Sequence, residues 1–231
     1  MLNAPECATW DGAGNLVIAD SSNNRIRVVA AGTGTFYGQA MTAGDIYTIA
    51  GTGAKGFSGD GGPATGAKLS FPTGLTVDGA GNIVFADREN NRVRVVAERT
   101  GTFYGQAMTA GDIYTVAGTG TSGFSGDGGP ATSAEVVPSG TTLDAAGNLV
   151  IADTFNNRVR VIAEHTGTFY GQAMTAGDIY TVAGTGVRAF SGDGGPGTSA
   201  QIAQAADVAL DGAGDVLIAD TGNGRIRLLT G

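Results

Sequence analysis

The feature that most constrains the fold of this chain is an internal repeat. The sixteen residues TGTFYGQAMTAGDIYT occur three times, at Thr33–Thr48, Thr100–Thr115 and Thr166–Thr181. A longer unit around them recurs four times, and each copy contains a short apolar run that ends at Asp20, Asp87, Asp153 or Asp220. These positions repeat every 66 or 67 residues. A fixed period of this size indicates one supersecondary unit stacked on copies of itself.

Each repeat contains short β-rich runs separated by turn residues, and no segment has the period or length of a helix. In the second repeat the four runs are Gly74–Asp78, Ile83–Asp87, Arg92–Val96 and Ile113–Ala117. Four antiparallel strands per unit, stacked at a regular interval, are typical of a β-propeller blade. The sequence therefore predicts an all-β propeller of four repeats.

The blade boundaries follow from the repeat. We expect a single propeller domain over residues 1–231, with blades at approximately 5–53, 72–120, 138–186 and 205–231. The fourth unit stops at Arg225–Leu229 without a counterpart of IYTVAG, so its blade is predicted to have three strands. A free strand edge is a template for pairing, and a homodimer through this incomplete blade is one expectation.

Composition excludes several classes of function. The formal net charge is −8, and an acidic surface repels phosphate backbones, which argues against nucleic acid as a partner. No apolar run approaches the length of a membrane span, and the first residues lack the pattern of a signal peptide. The single cysteine, Cys7, excludes an internal disulfide and a cysteine metal cluster.

The repeat resembles a known family, the NHL-repeat propellers. The residues that carry the resemblance in the second copy are Pro72, Asp78, Gly81-Asn82, Ile83–Phe85, Ala86-Asp87, Asn91-Arg92 and Val93–Val96. The connector Thr115–Glu135 is similar to linkers of bacterial NHL-type propellers in larger, often secreted or surface proteins. The resemblance implies a scaffold that binds proteins, peptides, RNA or small molecules, with a few relatives that are lyases. It also favours an excised domain of a secreted or cell-surface bacterial protein.

Balanced acids and arginines recur in every repeat. Strands of a blade are sandwiched between neighbouring blades, so the arginines after the Asn turn are predicted to point into a seam between blades. In the second repeat Arg92 and Arg94 lie on the same side of their strand, and an arginine buried there must be paired with an acid, either Asp78 or Asp87. The predicted seam residues are Asp20, Arg25, Asp87, Arg92, Asp153, Arg158, Asp220 and Arg225. A functional alternative is that these arginines bind anions.

The FSGDGGP connectors form a second candidate site. Their aspartates, Asp60, Asp127 and Asp193, would lie together if the linkers share one face of the propeller. Such carboxylates, with nearby carbonyl groups, could hold a hard cation such as calcium. The same residues are also ordinary turn formers, since Asp bonds locally and Gly accepts positive φ. Both interpretations stay open on the sequence.

The TFYGQAM connectors form a third candidate, through Tyr37, Tyr104 and Tyr170. Aromatic residues near a glutamine can stack on a sugar or grip a peptide. The alternative is that they anchor a long loop over the blade edge.

Catalysis has little support in the sequence. The single histidine, His165, has no serine or cysteine partner suggested by spacing, and zinc would need ligands that the chain lacks. We therefore expect a non-catalytic binding module with a protein or peptide partner and no resident cofactor other than calcium. Small-molecule or glycan binding through the repeated loops is the alternative, and a metal-dependent, lyase-like enzyme comes third.

Overall fold

The computed structural model describes residues 1–230 of the chain. Within them every extended element is a β-strand, and the helical segments are seven 3₁₀ turns of three residues each. No helix in this span is long or apolar enough to cross a membrane. The fold class predicted from the repeat, an all-β propeller of four blades with a three-stranded last blade, is confirmed.

The chain divides into two compact units, Met1–Val116 and Ala117–Gly231, each with two blades. In the first repeat the strands are β1 (Cys7–Trp10), β2 (Leu16–Asp20), β3 (Arg25–Val29), β4 (Gly34–Phe36), β5 (Gln39–Met41) and β6 (Ile46–Ala50). In the second they are β7 (Gly62–Pro63), β8 (Pro72–Val77), β9 (Ile83–Asp87), β10 (Arg92–Val96), β11 (Gly101–Phe103), β12 (Gln106–Met108) and β13 (Asp112–Ala117). The assignment of all 231 residues to a single domain stays a prediction.

The second unit repeats this pattern. Its first blade contains β14 (Gly129–Pro130), β15 (Pro138–Leu143), β16 (Leu149–Asp153), β17 (Arg158–Ile162), β18 (Gly167–Phe169), β19 (Gln172–Met174) and β20 (Asp178–Ala183). Its last blade contains β21 (Ala205–Leu210), β22 (Val216–Asp220) and β23 (Arg225–Leu229). All main-sheet neighbours pair antiparallel.

The turn between the second and third strands of each blade ends on a residue in the left-handed conformation. This residue is Asn24, Asn91 or Asn157 in the first three blades, with φ of 52°, 50° and 52°, and Gly224 in the last. Asparagine tolerates this conformation better than other residues with a side chain, and glycine has no Cβ to clash. The Asn-Asn pattern of the sequence therefore sets the start of each third strand.

The TFYGQAM connector is ordered as a hairpin, although the sequence predicted a loop. Phe36 of β4 pairs with Gln39 of β5, which leaves Tyr37 and Gly38 as a two-residue turn with φ of 51° and 73°. Two positive φ values are the signature of a type I′ turn, whose twist matches that of paired strands. The other two copies form the same hairpin.

The outermost strand of the second and third blades comes from the linker that precedes each blade. Pro63 of β7 pairs with Asp112 of β13, and Pro130 of β14 pairs with Asp178 of β20. Proline is tolerated there because a sheet edge needs no further donor. The sequence predicted a turn or a cation site in the linker but no strand, whereas two of its residues extend the sheet.

The hydrophobic core of each unit lies between its two blades. In the first unit Ile26 of β3 belongs to one buried cluster with Leu75 of β8. In the second, Val159 of β17 belongs to a cluster with Val208 of β21. The two blades of each unit are therefore stabilised by apolar contact with each other.

Candidate functional site

A buried arginine lies beneath the linker of the second blade. Arg94 in β10 is fully buried, and its Nη2 donates to Oδ1 of Asp60 at 2.6 Å and to the carbonyl of Ser58 at 2.9 Å. Its Nη1 donates to the carbonyl of Lys68 at 3.1 Å and lies 3.5 Å from Oδ2 of Asp87. Because four groups of the linker and the sheet converge on one guanidinium, the arginine fastens the linker to the blade.

The same arrangement recurs under the other two linkers. Each arginine is 2.6–2.7 Å from a linker aspartate and 3.6 Å from the aspartate that ends the second strand. The groups are Arg160 with Asp127 and Asp153, and Arg227 with Asp193 and Asp220.

A second arginine of each of these strands stacks on the linker phenylalanine. The guanidinium carbon lies 3.6 Å from the ring centroid for Arg92 over Phe57, and 3.6 Å for Arg158 over Phe124. In the last blade Arg225 lies 3.9 Å from the centroid of its own linker ring. A cation over an aromatic face at this distance is attracted by the ring quadrupole. The phenylalanine of each FSGDGGP linker thus covers the arginines of the strand on which the linker lies.

The predicted tyrosines donate hydrogen bonds to aspartates of their own repeats. The hydroxyl-to-carboxylate distances are 2.9 Å, 3.2 Å and 3.0 Å. The pairs are Tyr37 with Asp11, Tyr104 with Asp78, and Tyr170 with Asp144. Burial, and then the nearby carboxylate, raise the pKa of Tyr37 and of Tyr170, so both phenols stay protonated donors.

Tyr170 differs from the other two tyrosines in its solvent exposure. Tyr37 and Tyr104 are buried, which fits anchoring of the hairpin, whereas Tyr170 is half-buried. Ligand binding by these tyrosines stays a prediction, and only Tyr170 offers an accessible ring.

The linker aspartates are already engaged by guanidinium groups. No group of three or more His, Cys, Asp or Glu side chains in residues 1–230 is arranged to hold a metal ion. A calcium ion at Asp60, Asp127 or Asp193 would have to compete with an arginine at 2.6–2.7 Å. Calcium binding at these positions stays a prediction.

A groove of about 660 Å³ lies along the last blade. It is lined by residues 192–198 of the third linker, by residues 225–230, and by apolar side chains that include Ile202 and Ile218. Tyr170 and Asp193 also line it, so the structure brings these two predicted site residues to one concave surface. The sequence did not indicate the groove itself, because its two walls, residues 192–198 and 225–230, are distant from each other in sequence.

A family comparison identifies the repeat unit. The model of the NHL repeat matches residues 69–96, which contain β8, β9 and β10 together with the buried Arg94. This chain carries an NHL repeat. The resemblance to NHL-repeat propellers is therefore confirmed, and the other three copies align with residues 69–96 through the internal period. No match was found among curated proteins.

Solved structures with a similar fold are larger proteins. A structural genomics protein from Bacteroides thetaiotaomicron is 21% identical with a TM-score of 0.64, and the match covers 96% of this chain and 46% of that one. Virginiamycin B lyase from Staphylococcus aureus is 16% identical with a TM-score of 0.55, covering 99% and 53%. Likenesses at this identity show the fold alone. The chain spans about half the length of these structures.

The ion-paired arginine of the NHL repeat is the second of its strand and not the first. The sequence assigned the seam role to Arg25, Arg92, Arg158 and Arg225, which the structure leaves partly or largely exposed. The aspartates predicted as their partners are fully buried, but they face the second arginine of each strand. The pairs are Asp20 with Arg27, Asp87 with Arg94, Asp153 with Arg160, and Asp220 with Arg227. Both arginines point to one side of the strand, and the returning linker decides which is enclosed.

Burial raises the pKa values of two aspartates in this cluster. Desolvation raises the pKa of Asp87 to about 6, against hydrogen bonds from Asn90 and Ser70 and the charge of Arg94, which lower it. Desolvation likewise raises the pKa of Asp153 above its usual range. The carboxylate at this position is therefore held in its charged form only by the groups that converge on it.

Replacement of the enclosed arginine should be far more costly than replacement of its stacked neighbour. We expect Arg160→Ala to lower the free energy of unfolding by about 3–5 kcal/mol, because it leaves Asp153 buried without its cation. Arg158→Ala removes mainly the stacking on Phe124 and should cost about 0.5–2 kcal/mol. Denaturant melts of both variants measure the difference, with the loop variant Arg99→Ala as a control. Equal losses for the two strand variants would contradict the assignment.

The raised pKa of Asp87 predicts a specific dependence of stability on pH. The folded state binds a proton on the Asp87 carboxyl group more tightly than the unfolded state does. The stabilisation contributed by the protonated carboxyl is therefore complete below pH 3.8 and is lost as the pH rises to about 6. At about 1.4 kcal/mol per pKa unit, the loss is on the order of 3 kcal/mol. The difference in unfolding free energy between the wild type and Asp87→Asn should fall between pH 4 and pH 6. A difference that rises over this range would show that the charge of Arg94, which lowers the pKa of Asp87, outweighs the desolvation that raises it.

Proposed function

We propose that this chain is a non-catalytic binding module whose partner is a protein. The observation that supports this best is an uncovered apolar face on the last blade. Ile226 and Leu228 in β23 are 70% and 54% exposed, whereas Val159 and Val161, which occupy the same positions in β17, are fully buried. Apolar side chains that alternate along one strand face and remain open to solvent mark an interaction surface.

The polar contacts of this face also differ from those between blades. Oδ1 of Asn157 accepts from the backbone N–H of Gln204 at 3.0 Å, which joins the third blade to the fourth. Gly224 occupies the place of Asn157 in the last blade and has no side chain to make such a bond. The last blade thus keeps the apolar residues of a contact face and lacks the amide that orients a following repeat. The apolar side chains of this face support a protein as the partner.

Other functions have weaker support in the described residues. The linker carboxylates are bonded to arginines, and His165 is exposed in a loop. The similarity to a lyase extends to the fold only, so an enzymatic role rests on no set of side chains. Small-molecule or glycan binding is a second candidate, because Tyr170 and Asp193 share a groove of about 660 Å³, within the size range of ligand pockets.

The remaining proposals concern partners and location. The net charge of −8 disfavours nucleic acid. A homodimer through the last blade would cover the same face as a different protein would. Secretion or display on a bacterial surface stays a prediction that rests on the linker resemblance alone.

Peptide display against the purified chain tests the proposed function. We expect selected ligands to lose at least about tenfold in affinity for the double variant Ile226→Glu, Leu228→Glu, because a charge at the centre of an apolar contact is desolvated without a partner. Val187→Glu is the matched control, since Val187 is also 54% exposed but lies in a loop. Calorimetry measures both affinities.

Two results would argue against this surface. One is that selected ligands bind the double variant as tightly as the wild type, and the other is that a glycan array yields ligands where display yields none. Sedimentation over a range of concentrations separates the homodimer, because self-association through the face should be abolished in the double variant.

A further inference from the structure

An exposed apolar surface lies where the turn after β16 meets the third linker. Phe155 in this turn is 55% exposed, and Val187 in the linker is 54% exposed. Nη2 of Arg158, which follows the turn, donates to the carbonyl of Thr185 at 2.9 Å, and the N–H of Val187 donates to the hydroxyl of Thr185 at 3.3 Å. The turn and the linker therefore form one surface, and none of these residues lines the groove.

The equivalent surface of the first unit has the same backbone contact but smaller side chains. Ser22 and Ala54 stand at the positions of the two exposed apolar residues. Nη2 of Arg25 donates to the carbonyl of Thr52 at 2.9 Å, as in the second unit. Because serine and alanine serve the fold at these positions, the larger apolar pair is not needed for the packing of the blades. Exposed apolar side chains grouped in this way mark an interaction surface.

Two arginines border the surface without an acidic partner. Arg158 stacks on the ring of Phe124, which is itself 37% exposed, with 3.6 Å between the guanidinium carbon and the ring centroid. Arg188, exposed next to the apolar pair, donates from Nη2 to Oε1 of Gln204 at 3.0 Å. Within residues 1–230 neither guanidinium lies within 4.0 Å of a carboxylate oxygen. The surface therefore carries two positive charges that no ion pair of the chain neutralises.

A comparison with the first unit shows which group Arg188 lacks. Lys55 stands at the same position there, and its Nζ lies 2.6 Å from Oε2 of Glu89 in the turn of the blade that the linker precedes. In the last blade Gly222 replaces Glu89, and a Cβ at Gly222 would lie 2.7 Å from a backbone carbonyl oxygen. The turn still donates a hydrogen bond to the carbonyl of the residue after Arg188, at 2.9 Å. The turn thus keeps its place beside the linker and supplies no carboxylate.

We propose that this surface binds a protein segment in which an acidic side chain lies beside an apolar one. The carboxylate pairs with Arg188 as Glu89 pairs with Lys55, and the apolar side chain packs on Phe155 and Val187. Aromatic residues and arginine are enriched at the energetic centres of protein interfaces, which supports a protein as the ligand. The net charge of −8 does not oppose this contact at physiological salt, because exposed charges more than about 8 Å apart are largely screened.

Peptide display with counter-selection tests the inference. The library is selected on the wild-type chain and depleted on the double variant Phe155→Ser, Val187→Ala, which carries the residues of the first unit at both positions and should fold like the wild type. We expect the surviving peptides to be enriched in Asp or Glu beside an aromatic or aliphatic residue. A synthetic copy of one such peptide should bind the wild type one to one by calorimetry, and should bind the double variant at least about tenfold more weakly.

A second variant tests the acidic residue of the ligand. Arg188→Ser introduces the residue type that the second linker has at this position, Ser122. We expect it to weaken binding of the same peptide at least about threefold and to reduce the loss of affinity between about 50 mM and about 500 mM salt, because exposed ion pairs are screened. Arg99→Ala, in an exposed loop of the other unit, is the control and should change neither quantity.

Three results would overturn the inference. They are a selection in which no peptide survives the counter-selection, survivors without an excess of acidic residues, and an affinity that Arg188→Ser leaves unchanged. Self-association of the wild type in sedimentation that the double variant Phe155→Ser, Val187→Ala abolishes would instead assign the surface to a second copy of this chain.

The inference goes beyond the proposed function, because it assigns a second surface and names the chemistry of its partner. Peptides bound at this surface should keep their affinity for the variant Ile226→Glu, Leu228→Glu and lose it for Val187→Glu. Ligands of the β23 face are expected to show the reverse pattern. The two variants therefore assign each selected peptide to one surface, and failure of one proposal is distinct from failure of the other.

Discussion

The enclosed guanidinium under each linker is the interaction on which the blades of this protein depend. Arg94, Arg160 and Arg227 each join a linker aspartate, two linker carbonyls and the aspartate at the end of the second strand. Burial of a charge is costly unless it is paired with an opposite charge, so these ion pairs favour one position of the linker. With the linker fixed there, its Gly-Pro residues pair with the outer strand, at Gly62–Pro63 in the second blade and Gly129–Pro130 in the third. The linker phenylalanine then covers the stacked arginine.

The repeat allowed the strands and the blade count to be predicted, because four copies of one alternating pattern leave few alternatives. The arginines show what a local sequence pattern cannot predict. Arg92 and Arg94 lie on one side of the same strand, and only the return of a linker from 34 residues upstream distinguishes them. Gly62-Pro63 could not be predicted as a strand from its composition, since neither residue favours sheets and its pairing partner is distant in sequence. The groove was beyond prediction for a related reason, because it depends on how the linker and β23 are spaced.

The last blade shows how small substitutions change what a repeat presents. Gly224 stands where Asn157 bridges to the next blade, and Gly197 stands where the other linkers have alanine. A Cβ at Gly197 would lie 2.6 Å from Cδ1 of Leu229, so the linker and β23 are closer here than an alanine would allow. The third linker therefore requires glycine at a position where the other two linkers accept alanine.

The pairing of each linker with an outer strand has a consequence for the order of folding. Gly62–Pro63 is synthesised about 50 residues before its partner strand, β13, so this pairing forms only after the entire blade has emerged from the ribosome. Closure of a loop of this length carries an entropic cost that is recovered only when the outer strand docks. The outer edges of the second and third blades are consequently completed late, by residues at the two ends of each blade in the sequence.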